Sequence, residues 1–153
     1  MSAIETVRNF INALEANETE TASNALADNF LFTGWTPQPL NKKQFLSVIS
    51  ELKVGIPGLM FNLHNLDEHD DINQGAVVTG NIQIAGYQSD SFEIPTLSLP
   101  IIPQMGRSVS LPVEDVSFVV QNEQVARMIV KHTRGGGMEG LLHQLGTDSP
   151  IIQ

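Results

Sequence analysis

The chain has 153 residues, contains no cysteine and carries a formal net charge of −9. The lack of cysteine excludes disulfides, thiolate metal sites and a thiol nucleophile, and the strong negative charge argues against binding to the phosphate backbone of nucleic acids. The length predicts one domain, whose core is large enough to be stable without cross-links.

The N-terminal third of the chain has the spacing of amphipathic helices. Apolar side chains recur every three or four residues over 4–14, which predicts one helix with a single buried face. Ser2 and Glu5 have the spacing of a capping box at the start of this helix. A second, shorter helix is predicted to begin at Thr19 or Thr21, and a short strand is predicted to follow it.

A third helix is predicted to follow a polar cap at Asn41. Asn41 and Gln44 again have the spacing of a capping box, with Leu40 and Phe45 placed to pack against each other across the helix start. The glycine and proline residues within 55–58 end this helix, because proline cannot continue the hydrogen-bond pattern. Helices that precede a run of strands predict an α+β domain with the helices packed on one face of the sheet.

Beyond residue 59 the apolar residues tend to alternate with polar ones, which is the period of β-strands. We predict strands over 60–66 and 76–85, joined by an acidic turn at 67–71. The consecutive acids and the neighbouring histidines match no metal-binding spacing, so we expect no metal site there. The charged residues are expected to form a solvated connection.

Residues 89–106, called here the proline segment, contain three prolines among many apolar side chains. This composition excludes a central strand, and its apolar character predicts that the segment packs on the rest of the domain. A long hairpin is predicted over 108–133, with its turn at Asn122-Glu123. The glycines at 135–137 form a hinge before a short, amphipathic C-terminal helix.

In this order the elements resemble those of the nuclear transport factor 2-like superfamily, particularly its SnoaL-like branch. Three stretches carry the resemblance: ETVRNFINALEANETETASNALADNFLFTG, SLPVEDVSFVVQNEQVARMIV and GGGMEGLLHQLG. The resemblance implies a cone in which a strongly bent mixed β-sheet surrounds an apolar cavity, covered by the N-terminal helices and a short C-terminal helix as a lid. The superfamily includes isomerases, polyketide cyclases, dehydratases and epoxide hydrolases, so the fold alone does not give the function.

Two features of such enzymes are missing from this sequence. Ring-closing members often carry Gly-Thr-His after the second long strand, where this chain has Gly86-Tyr87-Gln88. A glutamine cannot take over the acid–base role of that histidine. Steroid-isomerase-like members use a tyrosine near the first helix, but the single tyrosine of this chain is Tyr87.

The hairpin provides the best candidate site. With a two-residue turn at Asn122-Glu123, Asp115 is predicted to lie opposite Val130 and diagonal to His132, on a face shared with Met128. A carboxylate on this apolar wall is poorly solvated, which suits a general acid or base. A structural hydrogen bond between Asp115 and His132 is the alternative, and a register shift of one residue would exchange the two faces.

Further candidates for ligand contact are the lone tryptophan, Trp35, together with Tyr87 and Asn81. Trp35 could stack on a ligand at the mouth of the cavity or plug that mouth. Asn81 could orient a ligand within the cavity or face solvent.

We therefore expect a cytoplasmic protein, without a signal sequence or a membrane span, that forms a homodimer. The preferred function is binding of a small apolar molecule between sheet and helices, without a metal or cofactor. The alternatives are a cofactor-free isomerase, cyclase or dehydratase that uses Asp115, and a dimeric interaction module with a filled cavity.

Overall fold

Residues 2–147 of a computed structural model are described, and they contain four α-helices, one short 3-10 helix (Pro95–Leu97) and eight strands. The helices are α1 (Ala3–Glu15), α2 (Thr19–Asn24), α3 (Lys42–Gly55) and α4 (Gly137–Gln144). The strands are β1 (Leu26–Thr33), β2 (Leu40–Asn41), β3 (His64–Asp71), β4 (Gly75–Ile82), β5 (Ala85–Tyr87), β6 (Ser108–Ser110), β7 (Glu114–Gln121) and β8 (Gln124–Val130). Within these residues, no helix is long and apolar enough to cross a membrane.

The main sheet contains six strands in the order β2-β1-β8-β7-β4-β3. β1 and β8 run parallel, and the other neighbouring strands are antiparallel. β5 and β6 pair separately as a two-stranded sheet. α1 packs across β3, β4, β7 and β8, and α3 packs against β1. The predicted α+β architecture, a bent mixed sheet with N-terminal helices and a short C-terminal helix, is confirmed.

The inner face of the sheet, which meets the helices, is filled by apolar side chains. Phe32, Phe118 and Met128 stand on β1, β7 and β8, and each is at most 2% exposed. A cavity wide enough for a water molecule would leave accessible surface on the side chains around it, so the space beside these three residues is filled. The structure therefore does not show the predicted apolar pocket at these positions.

The predicted cap of α3 is confirmed in both of its hydrogen bonds. The Asn41 side chain accepts from the N–H of Gln44 at 2.9 Å, and the Gln44 side chain accepts from the N–H of Asn41 at 2.9 Å. This cap fixes the direction in which the helix begins. As a result Phe45 enters the core, where its ring centroid lies 4.8 Å from that of Phe32.

The acidic residues 67–71 lie within β3, so the predicted turn at this place is wrong. The predicted strand over 60–66 also begins later, at His64. β3 is an edge strand of the main sheet, and most of its side chains are exposed. Charged residues are common on such edges because water can still reach them on both faces of the strand.

The predicted strand over 76–85 divides after Ile82, and the chain then enters the smaller sheet. The proline segment forms no central strand and packs on the domain, as predicted. Its residues Phe92 and Ile102 are buried and joined by a pair of backbone hydrogen bonds. The Phe92 ring lies against the backbone of Gly55, where a methyl group would come within 2.0 Å of it.

A buried lysine connects α3 to the C-terminal end of α1. The Nζ of Lys53 donates to the backbone oxygens of Leu14 at 2.8 Å and Glu15 at 2.6 Å. These carbonyls belong to the last turn of α1, where Leu14 also accepts from the N–H of Asn17 at 3.4 Å, and the ammonium group adds a charged C-terminal cap. Burial lowers the pKa of Lys53, and the nearby Glu15 carboxylate opposes that shift.

We predict that Lys53→Met destabilises the protein by about 1–3 kcal/mol, because buried carbonyl groups lose a charged donor. Urea unfolding monitored by the fluorescence of Trp35 would measure the change in unfolding free energy. Lys43→Met is the matched control, since Lys43 lies exposed on the same helix. Equal stabilities of the two variants would contradict a capping role for Lys53.

Candidate active site

The β7–β8 hairpin has the predicted turn but not the predicted register. Asn122 and Glu123 adopt positive φ angles of 52° and 62°, and Val120 pairs with Val125, as expected for a two-residue turn. The next pair is Val119 with Arg127, so β8 contains one extra residue at this point. Such a β-bulge shifts every later pair by one position and exchanges the faces of β7 relative to β8.

Asp115 lies on the outer face of the sheet, and the shift in β8 removes Met128 and Val130 from that face. Its side chain is exposed and accepts a hydrogen bond from the Asn81 amide at 2.8 Å. Val130 pairs with Val116, and the N–H of Lys131 donates to the backbone oxygen of Asp115. The prediction that Asp115 lies opposite Val130 on an apolar wall is therefore wrong. Of the two alternatives for Asn81, the structure favours the outer face, where it bonds to Asp115.

The other predicted site residues occupy three separate places. Trp35, Met128 and Val130 are buried, at 3%, 0% and 2% exposure. Tyr87 is 52% exposed and belongs to the smaller sheet. His132 is exposed and lines a surface cleft of about 730 Å³ beside α4. In the described part of the chain, no hydrogen bond or ion pair joins His132 to Asp115.

The carboxyl group on the inner face of β7 belongs to Glu114. Its side chain is 1% exposed, and neither carboxyl oxygen has a hydrogen-bond partner among the described residues. The backbone of Gly136 lies directly against it, because a methyl group at Gly136 would be 2.6 Å from Oε2. Glu114 therefore sits beneath the first residues of α4.

Burial raises the pKa of Glu114 to about 7, because the charged carboxylate loses its hydration. The backbone amides of Gly137 and Thr133 partly oppose this shift. They are close enough to favour the charged form without meeting hydrogen-bond geometry. At neutral pH the group is thus divided between its acid and its base form, which is the condition for transferring a proton in either direction.

A second buried polar group lies close to the start of α4. The indole N–H of Trp35 has no acceptor among the described residues. The Trp35 ring packs edge-on against the Phe32 ring. The backbone oxygen of Trp35 accepts from the N–H of Met138 at 3.3 Å. A methyl group at Gly137 would lie 3.6 Å from the Cα of Trp35. α4 therefore begins on a surface that includes both Trp35 and Glu114.

The sequence contains a signal that favours Glu114 over Asp115. The alternate positions Val116, Phe118 and Val120 are all strongly apolar, whereas the face of Asp115 also includes Ser117. A large aromatic residue at the centre of a strand normally faces the core, which places Glu114 inside. A hairpin without a bulge would place Glu114 opposite Lys131 as an opposite-charge pair, and this apparent pair conceals the signal.

Another buried polar group, the side-chain amide of Gln88, has a structural role. Gln88 is 0% exposed; its amide donates to the oxygen of Pro103 at 2.8 Å and accepts from the N–H of Met105 at 3.2 Å. It therefore holds the end of the proline segment.

Across residues 2–147, no cluster of three or more histidine, aspartate or glutamate residues is arranged to hold a metal ion.

We predict that Glu114→Gln stabilises the protein above pH 7. The folded state keeps the Glu114 proton up to about pH 7, whereas the unfolded chain releases it near 4.5. The folded state therefore binds more protons between these values, and stability falls as the pH rises through that range. The glutamine variant should recover up to about 3 kcal/mol at pH 8 and nothing at pH 4.

Urea unfolding at a series of pH values measures this effect. Asp115→Asn is the matched control, because Asp115 is the exposed neighbour on the same strand. Identical pH profiles for wild-type protein and Glu114→Gln would contradict the burial of an ionisable group at this position.

We also predict that Gly136→Ala displaces the Glu114 carboxyl group and costs about 1–3 kcal/mol through overpacking. The added methyl would lie closer to Oε2 than any normal contact. Gly58→Ala is the control, because a methyl there meets nothing within 4 Å. A crystal structure of Gly136→Ala with the carboxyl group unmoved would contradict the contact.

Structural comparison relates this geometry to known proteins. IdmH, a candidate polyketide cyclase from Streptomyces antibioticus, is 14% identical with a TM-score of 0.69, covering 96% of this chain and 100% of that one. An LEH-like epoxide hydrolase from M. tuberculosis is 17% identical with a TM-score of 0.64, covering 94% and 92%. A SnoaL-like polyketide cyclase from Agrobacterium tumefaciens is 14% identical with a TM-score of 0.61, covering 85% and 90%.

No family model and no curated protein matches the chain by sequence. At these identities the structural likeness establishes the fold and leaves the activity open. The resemblance seen in the sequence is confirmed at that level. The chain has the nuclear transport factor 2-like fold, and SnoaL-like polyketide cyclases are among the solved structures that share it.

Proposed function

We propose that this protein handles a small, largely apolar molecule and that Glu114 is its acid–base group, in a proton transfer that needs no cofactor. The observation that supports this proposal is a carboxyl group that is 1% exposed and has no hydrogen-bond partner among the described residues. Burying such a group without a partner costs stability, so a purely structural position would favour an apolar residue.

The surroundings of Glu114 define the class of substrate. Val116, Val130 and Met138 are all at most 2% exposed, so a molecule next to the carboxyl group would meet mostly apolar side chains. The indole N–H of Trp35 is a free donor for a carbonyl, hydroxyl or epoxide oxygen. Isomerisation, cyclisation or dehydration of an oxygen-bearing apolar molecule fits these groups, and the names of the polyketide cyclase and epoxide hydrolase neighbours support this range.

The filled interior sets a condition on this function. A ligand can approach Glu114 only if side chains or α4 move, because Phe118 and Met128 leave no open space beside them. The backbone of Gly136 lies directly against Glu114, so a movement of the glycines at 135–137 would expose the carboxyl group.

The Kemp elimination of 5-nitrobenzisoxazole tests the proposal. A base removes the ring C–H proton, the N–O bond breaks, and a coloured phenolate forms, so the reaction reports on a poorly hydrated carboxylate. We expect turnover that rises as the pH passes through about 7, where Glu114 ionises. Glu114→Gln should abolish turnover and Asp115→Asn should retain it. Equal rates for wild-type protein and Glu114→Gln would overturn the role of Glu114.

A second candidate function follows from the filled interior: a dimeric interaction module that holds no ligand. The outer face of the sheet would provide the contact, since Ile129 is 42% exposed at the centre of that face beside the half-buried Leu31. An exposed β-branched residue there is better buried against a second copy of the chain than left in water.

Sedimentation velocity of wild-type protein and Ile129→Lys tests this second candidate. A dimer that dissociates in Ile129→Lys supports pairing through the outer face, and Val113→Lys is a control at another exposed apolar site. A wild-type monomer at all concentrations would remove this candidate.

A further inference from the structure

The surface cleft beside α4 lies on the opposite side of the glycine wall from Glu114. Gly136 lines this cleft of about 730 Å³, and the same residue contacts the buried carboxyl group. Gly136 is therefore a residue that the cleft and the buried carboxyl group share. A side chain larger than hydrogen at Gly136 would have to push that carboxyl group away.

The cleft contains hydrogen-bond donors that are not used elsewhere. Arg134, His132 and His143 line it, and none of them has a hydrogen bond or ion pair with another described residue. An unengaged guanidinium group binds carboxylates through two parallel N–H donors. The positive charge of Arg134 makes this cleft a local exception on a chain whose formal net charge is −9.

A carboxylate also lines the cleft, which limits the charge of the ligand. Glu139 stands on the first turn of α4 and has no ion pair among the described residues. Its negative charge disfavours a dianion such as a phosphate monoester, whereas a singly charged carboxylate can bind Arg134 at less cost.

The two ends of α4 are held by different groups. The side chain of Gln144 pairs with the backbone of Ser110, donating to its oxygen at 2.8 Å and accepting from its N–H at 2.7 Å. The other end of the helix begins at Gly137, with a φ of 68° that favours glycine, and its N-cap Gly136 provides no side-chain bond. The end that covers Glu114 is thus held by the buried Met138 and its backbone hydrogen bond to Trp35, without a side-chain cap.

We propose that this cleft binds a small organic monocarboxylate through Arg134, His132 and His143, and that the bound molecule reaches Glu114 by displacing the glycines at the start of α4. The proposal rests on the proposed function of Glu114. It goes beyond that function by assigning a charged substrate class, an anchoring residue and a route of entry.

NMR titration of the protein with sodium benzoate tests the proposal. Benzoate should produce saturable shifts of the Gly135, Gly136 and Gly140 amides and of the Glu114 side-chain carboxyl carbon. Benzamide, which has the same shape without the charge, should bind about tenfold more weakly. Arg134→Gln should weaken benzoate binding by roughly tenfold, while Arg8→Gln, at an exposed position on α1, should not.

Each other result overturns part of the proposal. Equal binding of benzoate and benzamide, no effect of Arg134→Gln, or no saturable shift up to the solubility limit removes the carboxylate site. Binding at the glycines without a shift at Glu114 removes the route of entry. The Kemp elimination is read out separately, so a carboxylate site with no Glu114-dependent turnover would refute the proposed function while leaving the binding site in place.

Discussion

The extra residue in β8 determines which side chains of the late hairpin face the helices. Ala126 lies between the pairs Val120–Val125 and Val119–Arg127, and both Val125 and Ala126 are buried. Without the bulge, Val119 would pair with Ala126, and Met128 and Val130 would turn away from the face that Phe118 and Glu114 share. The bulge therefore brings Met128 and Val130 onto the inner face beside Glu114. The apolar surroundings of this carboxyl group depend on a local irregularity of the backbone.

The inward orientation of Glu114 is energetically unfavourable in isolation. Its carboxyl group loses hydration and finds no hydrogen bond among the described residues, a cost that the charged form bears most heavily. The domain tolerates this because the rest of the inner face is apolar and closely packed, with Phe118 and Met128 fully buried. The pKa near 7 is the direct consequence: the folded protein reduces the cost by keeping the proton. The packing of the core and the raised pKa of the Glu114 carboxyl group are thus connected.

Local interactions account for what the sequence predicted well. The cap formed by Asn41 and Gln44 involves residues three positions apart, so the sequence specifies it without knowledge of the fold. The turn at Asn122-Glu123 is equally local. The position of Asp115 relative to Val130 instead depends on accumulated register along two strands, where one bulge reverses the outcome. The acidic residues of β3 were misassigned for a similar reason, because only the finished sheet shows that this strand is an edge.

At the start of α4, Gly136 both contacts the buried Glu114 and lines the surface cleft. A helix that only needed to close the cone could begin with Ser or Asp at its N-cap, which would satisfy its free amides and stabilise it. This chain has Gly136 at that position, with no side-chain cap, and the carboxyl group of Glu114 occupies the space where a side chain would be. The negative form of Glu114 then lies near the positive end of the helix, which eases ionisation without removing the cost of burial. Loss of the side-chain cap makes the helix start easier to displace, and displacement is what a closed interior requires before any ligand can meet the acid. The glycines at 135–137 therefore cover Glu114 in the resting protein, and in the proposed function they are the part of the wall that a ligand would displace.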